Sequence, residues 1–503
     1  MDQAVSDYLD RYGVLDATRA FLERPQHMFI GGEWIAAGKR DAHEVHEFST
    51  GGVITHIPAG TVEDVDAAVK AARHQFENGE WSRLKPLERE ILINRLADLM
   101  EANIDELAEI ESIDVGKPRE LAREIDVQGA IDTLRYFAGW ATKITGRTAE
   151  PAALPGSHLA LVLKEPVGVV GSIAPWNFPL QTMIWKLGAT LATGCTTVIK
   201  PAELTSLSTL RFAELVQQAG IPDGVINVVT GTGSTVGQAI ASHPGIDKVT
   251  FTGSTAVGKL VGTSAIQNMA HLTLELGGKS PVLVFEDVDI KQAAAAVAEG
   301  IFFNAGQVCD AGSRAYIHRS IYREFLAELA DYAKGLKIGP GLAPESFICP
   351  MVGKKQFETV TSYIRKGIEE GAELICGGLP NQGESAFVEP TVFADCSNSM
   401  AVMREEIFGP VLATASFETE EEAIALANDS EYGLASAIYT RDIDRVFRVA
   451  PKLKAGSVKV NRDGQVDPAL PFGGYKQSGV GKDLGPEQLD HFLETKTVWI
   501  SLS

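Results

Sequence analysis

The chain has 503 residues, 45% hydrophobic and 22% charged, and its 66 Asp and Glu against 45 Lys and Arg leave a net charge of −21. Such a field repels nucleic acid and anionic lipid, so neither is an expected partner. No run of about 18 apolar residues is present to span a bilayer, and at about 100–200 residues per domain the length suits roughly two to four globular domains.

The opening "MDQAVSDYLDRYG" lacks the cationic start and apolar stretch of a secretory signal. His43 and His46 in "HEVHEF" read as solvated strand or turn residues, and with no HExxH in the sequence no metal site is expected. From about residue 62 to 145 the pattern is helical. Thr61 is placed to cap "TVEDVDAAVKAARHQFENG", whose acidic first turn suits the positive end of the helix dipole. In "PLEREILINRLADLMEANIDELAEIESIDVGKP" apolar residues recur at three and four, as on an amphipathic helix broken by turns.

After residue 165 short β-branched runs take over: "VGVVGSI", "TTVIK", "GVINVVT" and "DKVTFTG", separated by helical stretches such as "LTSLSTLRFAELVQQAG". This alternation predicts a parallel sheet with helices on both faces. A second series begins near residue 281 with "PVLVF", "IKQAAAAVAEGIFF", "SRAYIH" and "REFLAELADYAKGL", so two α/β domains join near "ELGGKSP" at 275–281. "HLALVLKEP" (158–166) and "TKTVWISL" (495–502) read as strands far from either core. Exposed strand edges are aggregation hazards unless paired, which favours pairing between subunits; an ordinary edge strand within one chain is the alternative.

Several motifs could carry chemistry. "FTGSTAVGK" sets Gly253, Ser254 and Gly258 after a strand and at the mouth of a helix, where backbone amides and the helix dipole favour an anion. "GTGSTVG" (231–237) departs from the dinucleotide spacing and reads as a tight strand-to-helix turn. "VIKPAE" ends a strand with Lys200 and Glu203, but it precedes the glycine turn by fifty positions, the reverse of the usual dinucleotide order. In "APWNFP" two prolines fix Trp176, Asn177 and Phe178 after a strand; the Asn177 amide is either a turn residue or a donor for a developing oxyanion. Glu275 in "ELGGKSP" is either a surface carboxylate or a base whose pKa burial would lift. Cys309 in "NAGQVCDAGSR" is a nucleophile, a metal ligand or a small apolar filler. Five cysteines without a CxxC argue against a disulfide framework and for a reducing compartment, the cytoplasm.

"PWNFP", "VIKPAE", "FTGST", "LELGGKSP", "GQVCDAGSR", "EEIFGPV" and "PFGGYKQSG" stand in the order that marks aldehyde dehydrogenases, and the resemblance runs from about residue 27 onward. It implies an α/β fold with a Rossmann-type NAD-binding domain (27–147 and 167–277) and an α/β catalytic domain (278–477). A small β oligomerisation arm and C-terminal tail (148–166 and 478–503) complete it, in a homo-oligomeric dimer or tetramer. Cys309 then corresponds to the family's nucleophile, Asn177 to its oxyanion donor and Glu275 to the base that hydrolyses the thioester. Asp310 departs from the uncharged residue more usual there, and is expected to point away from the thiol or to line the substrate path. For NAD the resemblance implies Trp176, Lys200, Glu203, Gly253, Ser254, Gln356, Glu406 and Phe408, with Glu203 repelling the extra phosphate of NADP. Lys186 and Asp483 match a proton relay of some members, although Asp483 replaces a longer Glu.

Residues matching the substrate tunnel are Phe178, Gln181, Thr182, Trp185, Phe303 and Phe472, walls that suit a hydrophobic aldehyde. "SRLKP", "YFAGWATKI" and "DPALPFGGYKQSG" resemble most the bacterial phenylacetaldehyde dehydrogenases, which implies an aromatic aldehyde. Arg462 and Asp463 stand where tunnel residues are often aromatic. The alternatives are a γ-aminobutyraldehyde-type or broad aliphatic substrate, a CoA-acylating branch that Glu275 argues against, and a non-catalytic NAD-binding structural protein.

Overall fold

The computed structural model describes residues 1–38, 41–154, 156–380, 386–462 and 466–502. Its largest sheet has eight strands in the order Gly479–Val480, His271–Glu275, Lys248–Thr252, Val169–Ile173, Thr196–Lys200, Ile226–Val228, Met28–Ile30, Glu33–Ile35. The middle five are parallel and the flanking pairs antiparallel. "VVGSI" and "TTVIK" are buried at every position, as required of parallel strands covered on both faces. Thr61 caps the helix Val62–Glu77 through a reciprocal box: its hydroxyl accepts from Asp64 N–H, and the Asp64 carboxylate accepts from Thr61 N–H at 2.9 Å. The helix Pro179–Thr193 is buried on every side, starts on a proline and stops at Gly194 in the left-handed region.

The second sheet has seven strands: Glu373–Cys376, Thr391–Ala394, Val411–Phe417, Arg314–His318, Pro281–Val284, Ala435–Tyr439 and Ser457–Val460. All but the first pair run parallel. The chain passes from one sheet to the other across 276–280, between Glu275 and Pro281. Two N-terminal helices, Gln3–Tyr12 and Asp16–Glu23, bury Val5, Leu9, Phe21 and Leu22 against the helices that follow.

Three readings change. The outlying strands pair with each other inside the chain: Leu493–Ser501 lies antiparallel to His158–Pro166 over nine positions, and Arg147–Ala149 covers the far edge of His158–Pro166. Nine in-register pairs satisfy one edge of each strand within the chain, and among the described residues Leu493–Ser501 keeps an outer edge with no strand beside it. Gly479–Val480, placed with the tail by the sequence, instead extends the eight-stranded sheet beside Leu274 and Glu275. "GTGSTVG" forms a short π-helical segment, Gly233–Gly237, rather than a tight turn, because the Thr232 hydroxyl caps it by accepting from Thr235 N–H.

Candidate functional site

Cys309 follows a 3₁₀ turn, Phe303–Gly306, that ends the helix Ile290–Phe302. Asn304 and Ala305 hold left-handed backbone there, at φ 48° and 53°. Left-handed conformations in non-glycine residues are strained and persist only where the surroundings hold them. Gln307 does much of that holding: its amide nitrogen donates to the Asn304 and Pro350 carbonyls, and its amide oxygen accepts from Val352 N–H at 2.9 Å. Gly306, at φ 71°, lies so close to the Gly409 carbonyl that a Cβ would sit 2.1 Å from its oxygen. The thiol that emerges is half-buried, whereas Cys195, Cys349, Cys376 and Cys396 are buried.

Asn177 comes from the loop between Val169–Ile173 and the helix at Pro179, at the carboxyl end of a central strand. One N–H of its buried amide donates to the Gln307 carbonyl at 2.9 Å. A side-chain amide has two N–H groups, so the second is available for another acceptor. Trp185 and Phe472 meet at 5.2 Å between ring centroids, and Cys309 packs against the apolar cluster that contains both. Phe178 and Phe303 stack at 6.1 Å, with the Lys117 ammonium 3.8 Å from the Phe178 centroid.

Glu275 ends its strand 3% exposed, and among the described residues neither carboxylate oxygen has a hydrogen-bond partner. A buried, unsatisfied carboxylate is costly and calls for an explanation in function. Its surroundings come from much later in the chain. A Cβ on Gly473 would reach 2.4 Å from Glu275 Oε1, Gly479 pairs with Glu275 along the sheet edge, and Lys482 bonds the Gly473 carbonyl. Ser478 joins the two sheets: its hydroxyl donates to the Gly277 carbonyl at 2.7 Å and accepts from Gly433 N–H at 3.0 Å. Burial, then the Asp483 carboxylate, pushes the Glu275 acid well above the ordinary carboxylate range, against the pull of Lys186 and Lys482. Lys186 and Asp483 form a wholly buried ion pair at 2.7 Å, and Gln488 donates to the other Asp483 oxygen at 3.0 Å.

Burial also pushes the Cys309 thiol well above its ordinary value, with Asp310, Glu406 and Glu275 adding to the rise and Lys459 opposing it. Asp310 pairs with Lys459, on the strand Ser457–Val460, at 2.8 Å. The residue expected to point away or line the substrate path is thus held by a cation from the neighbouring sheet strand.

A dinucleotide can be tested against the remaining residues. Lys200 and Glu203 pair at 2.8 Å at the end of Thr196–Lys200, with the Glu203 side chain 40% exposed. Burial raises the Glu203 acid, yet Lys200 and neighbouring backbone donors outweigh it and leave it below the usual range. That leaves a charged acceptor beside an ammonium donor, the donor set a ribose diol takes. Ser254 caps the helix Thr255–Ile266, whose first-turn amides suit a pyrophosphate. A Cβ on Gly258 would strike Leu276 at 2.3 Å, so that glycine serves helix-to-strand packing, while the ring of Phe251 lies against Gly253. Trp176 meets Phe408 edge-on at 5.2 Å, and the Thr205 hydroxyl holds the Trp176 carbonyl at 3.1 Å. Glu406 accepts from Gly278 N–H at 3.0 Å, and burial pushes its acid up to about 7. Gly278, Gly306, Glu406 and Phe408 line a small, partly open cleft. Acceptors, donors and an open helix start are all present, so the residues fit NAD.

Some of the expected residues also bond within the fold. The Gln356 amide donates to the Phe408 and Ile407 carbonyls, holding Phe408 at φ 57°, and so supports this cleft from behind. The Gln181 amide donates to the Ile125 carbonyl and the Thr182 hydroxyl to the Phe178 carbonyl, so these donors are engaged within the fold. Asp463 lies outside the described residues. Asn304, Gln307, Lys459 and Ser478 were missed by sequence reasoning; the small-residue stretch "NAGQ" before Cys309 signals the strained turn, but nothing local points to the other contacts. Among the described residues no group of three or more His, Cys, Asp or Glu could hold a metal ion, and no helix is long and apolar enough to cross a membrane.

The chain matches the model of the aldehyde dehydrogenase family over residues 34–498. A phenylacetaldehyde dehydrogenase of Pseudomonas fluorescens is 44% identical over 485 residues, 95% of this chain and 97% of that protein. An NAD+ complex of an aldehyde dehydrogenase from Bacillus cereus superposes with a TM-score of 0.95 at 45% identity, covering 97% of this chain and 99% of that one. An indole-3-acetaldehyde dehydrogenase complexed with NAD+ gives 0.93 at 40% identity, covering 99% of each chain. The architecture is the aldehyde dehydrogenase fold, two parallel-type sheets joined at the seam that carries Glu275. The chain belongs to the aldehyde dehydrogenase family, an oxidoreductase family whose solved members near this chain include NAD+ complexes.

Proposed function

We propose that the protein oxidises an aromatic aldehyde, of the arylacetaldehyde type, to its carboxylic acid with NAD as the oxidant. Cys309 acts as nucleophile: its thiolate bonds to the carbonyl carbon, and the carbonyl electron pair moves to oxygen. The second N–H of Asn177 and the backbone N–H of Cys309 receive that oxyanion. NAD+, when bound, would supply the hydride acceptor that turns the former aldehyde carbon into an acyl carbon. Trp176, Lys200, Glu203, Gly253, Ser254, Glu406 and Phe408 would hold it, with Gln356 behind Phe408. The adduct that remains is a thioester on Cys309. Glu275 accepts a proton from water as its oxygen attacks the acyl carbon; the C–S bond breaks, and acid and free thiol are released. An unpaired carboxylate with a raised proton affinity is suited to this role near neutral pH.

The aromatic pair Trp185–Phe472, packed in one apolar cluster with Cys309, carries the substrate assignment. The stacked Phe178 and Phe303 add to it, as do relatives that act on phenylacetaldehyde and indole-3-acetaldehyde. Glu203 would repel a 2′-phosphate, so NAD is favoured over NADP. The outer edge of Leu493–Ser501, with Trp499 59% exposed, suits pairing in a homo-oligomer, a dimer or tetramer in the cytoplasm. NADH formation with phenylacetaldehyde, γ-aminobutyraldehyde and hexanal tests the substrate. The arylacetaldehyde should have the highest kcat/KM, and a higher value for either of the others would overturn the aromatic assignment.

A further inference from the structure

Asp310 is the residue directly after the nucleophile, and it is buried with its side chain only 10% exposed. A carboxylate there, close to a thiol that must ionise, works against the reaction by placing like charge beside a forming thiolate. Lys459 meets it at 2.8 Å from the last strand of the seven-stranded sheet, its own side chain 15% exposed. Among the described residues, carboxylates from three places raise the cost of charge on Cys309: Asp310 from its own loop, Glu406 from the segment after Ala401–Arg404, and Glu275 from the other sheet. Among the charges of the described residues that act on it, Lys459 is the cation that opposes them. An ammonium held in place among three acids is the group able to offset them, and its 2.8 Å bond fixes it on the carboxylate nearest in sequence to the sulfur.

We propose that the Asp310–Lys459 ion pair positions charge for the nucleophile, Lys459 offsetting the adjacent carboxylate and so easing formation of the Cys309 thiolate. In this role the pair acts through Cys309, so both are positioning residues. The inference rests on the reading of Cys309 as nucleophile. It also makes a statement about the sulfur alone, which can be read without aldehyde or NAD.

The test is alkylation of the full-length protein by iodoacetamide across a pH series, following the Cys309 peptide by mass spectrometry. The other four cysteines are buried, so the half-buried thiol is the one the reagent reaches first. Lys459→Met should slow Cys309 alkylation at pH 7 by about tenfold or more, since each tenfold in thiolate fraction is one pH unit in the profile. Asp310→Thr should speed it, and Asp310→Thr/Lys459→Met should return close to the wild-type profile. The acid limb of kcat/KM should move in the same order. Should Lys459→Met not fold, Asp310→Thr and the double variant still decide, since neither leaves an unpaired buried carboxylate. Wild-type alkylation profiles in all folded variants would overturn the proposal, as would a double variant with a profile far above that of the wild type. If Cys309→Ser kept aldehyde oxidation while these alkylation shifts appeared, the nucleophile reading would fail and the charge effect on the sulfur would stand.

Discussion

Replacing Lys186 by Met would leave the Asp483 carboxylate wholly buried, with Gln488 as its remaining side-chain donor among the described residues. Breaking a buried pair from one side costs about 3–5 kcal/mol, because an uncompensated charge stays in the interior. At 1.36 kcal/mol per decade that is about two to four powers of ten in the unfolding equilibrium. Removing both charges in Lys186→Met/Asp483→Leu should recover most of the loss, since apolar replacement of a whole buried pair is often near neutral. Urea unfolding followed by tryptophan fluorescence, at one subunit concentration for all variants, gives the comparison. The same cycle has a catalytic readout. Lys186 lowers and Asp483 raises the proton affinity of Glu275. Lys186→Met should therefore move the acid limb of kcat to higher pH, and the double variant should bring it back. A single variant as stable as the wild type, or a double variant less stable than the single, would refute the reasoning.

Cys309→Ser should lower kcat by at least about 10³-fold while leaving the circular dichroism spectrum unchanged, since a serine hydroxyl is a far weaker nucleophile than a thiolate. Glu275→Gln should slow turnover by about 10²–10⁴-fold; because hydride loss precedes hydrolysis, stopped-flow should show a burst of NADH followed by a slow steady phase. Gly473→Ala should lower kcat strongly, because the new methyl would meet Glu275 Oε1 at 2.4 Å on backbone at φ 148°, and a crystal structure should show that carboxylate displaced. Glu111 is wholly buried, and burial, then Asp126, holds its acid above the usual range. The folded state thus binds a proton that the unfolded chain has released, and stability is lost as pH rises above about 4.5. Glu111→Gln keeps the neutral form, so its stability relative to wild type should increase from pH 5 to pH 8 in urea titrations.

The local features of this fold were open to reading from the chain. β-branched runs such as "TTVIK" and the Thr61 start signal act over a few residues, and they appear in the structure as the buried parallel strand and the capping box. Motif order placed Asn177, Glu275 and Cys309 among the candidates, and the fold sets each at a strand end or at the end of a helix. What escaped were contacts between residues far apart in sequence. The pairing of His158–Pro166 with Leu493–Ser501 is a matter of register that neither strand encodes alone. Lys459 lies within an ordinary edge strand, and Asp310, which it meets, is 149 positions away. Gln356, Gln181 and Thr182, matched to ligands by position, also bond backbone carbonyls, contacts that motif order does not display.

The residues that enclose Glu275, from Gly473 to Asp483, are translated some 200 positions after it. At about 5–20 residues per second, a ribosome needs about 10–40 s to supply them. During that interval the sheet edge beside the carboxylate stays open to water and the seam between the sheets lacks its serine clasp. A nascent chain is therefore expected to be chemically silent toward aldehydes long after its nucleophile has emerged, and a premature stop between 310 and 470 should yield a thiol-bearing but inert product.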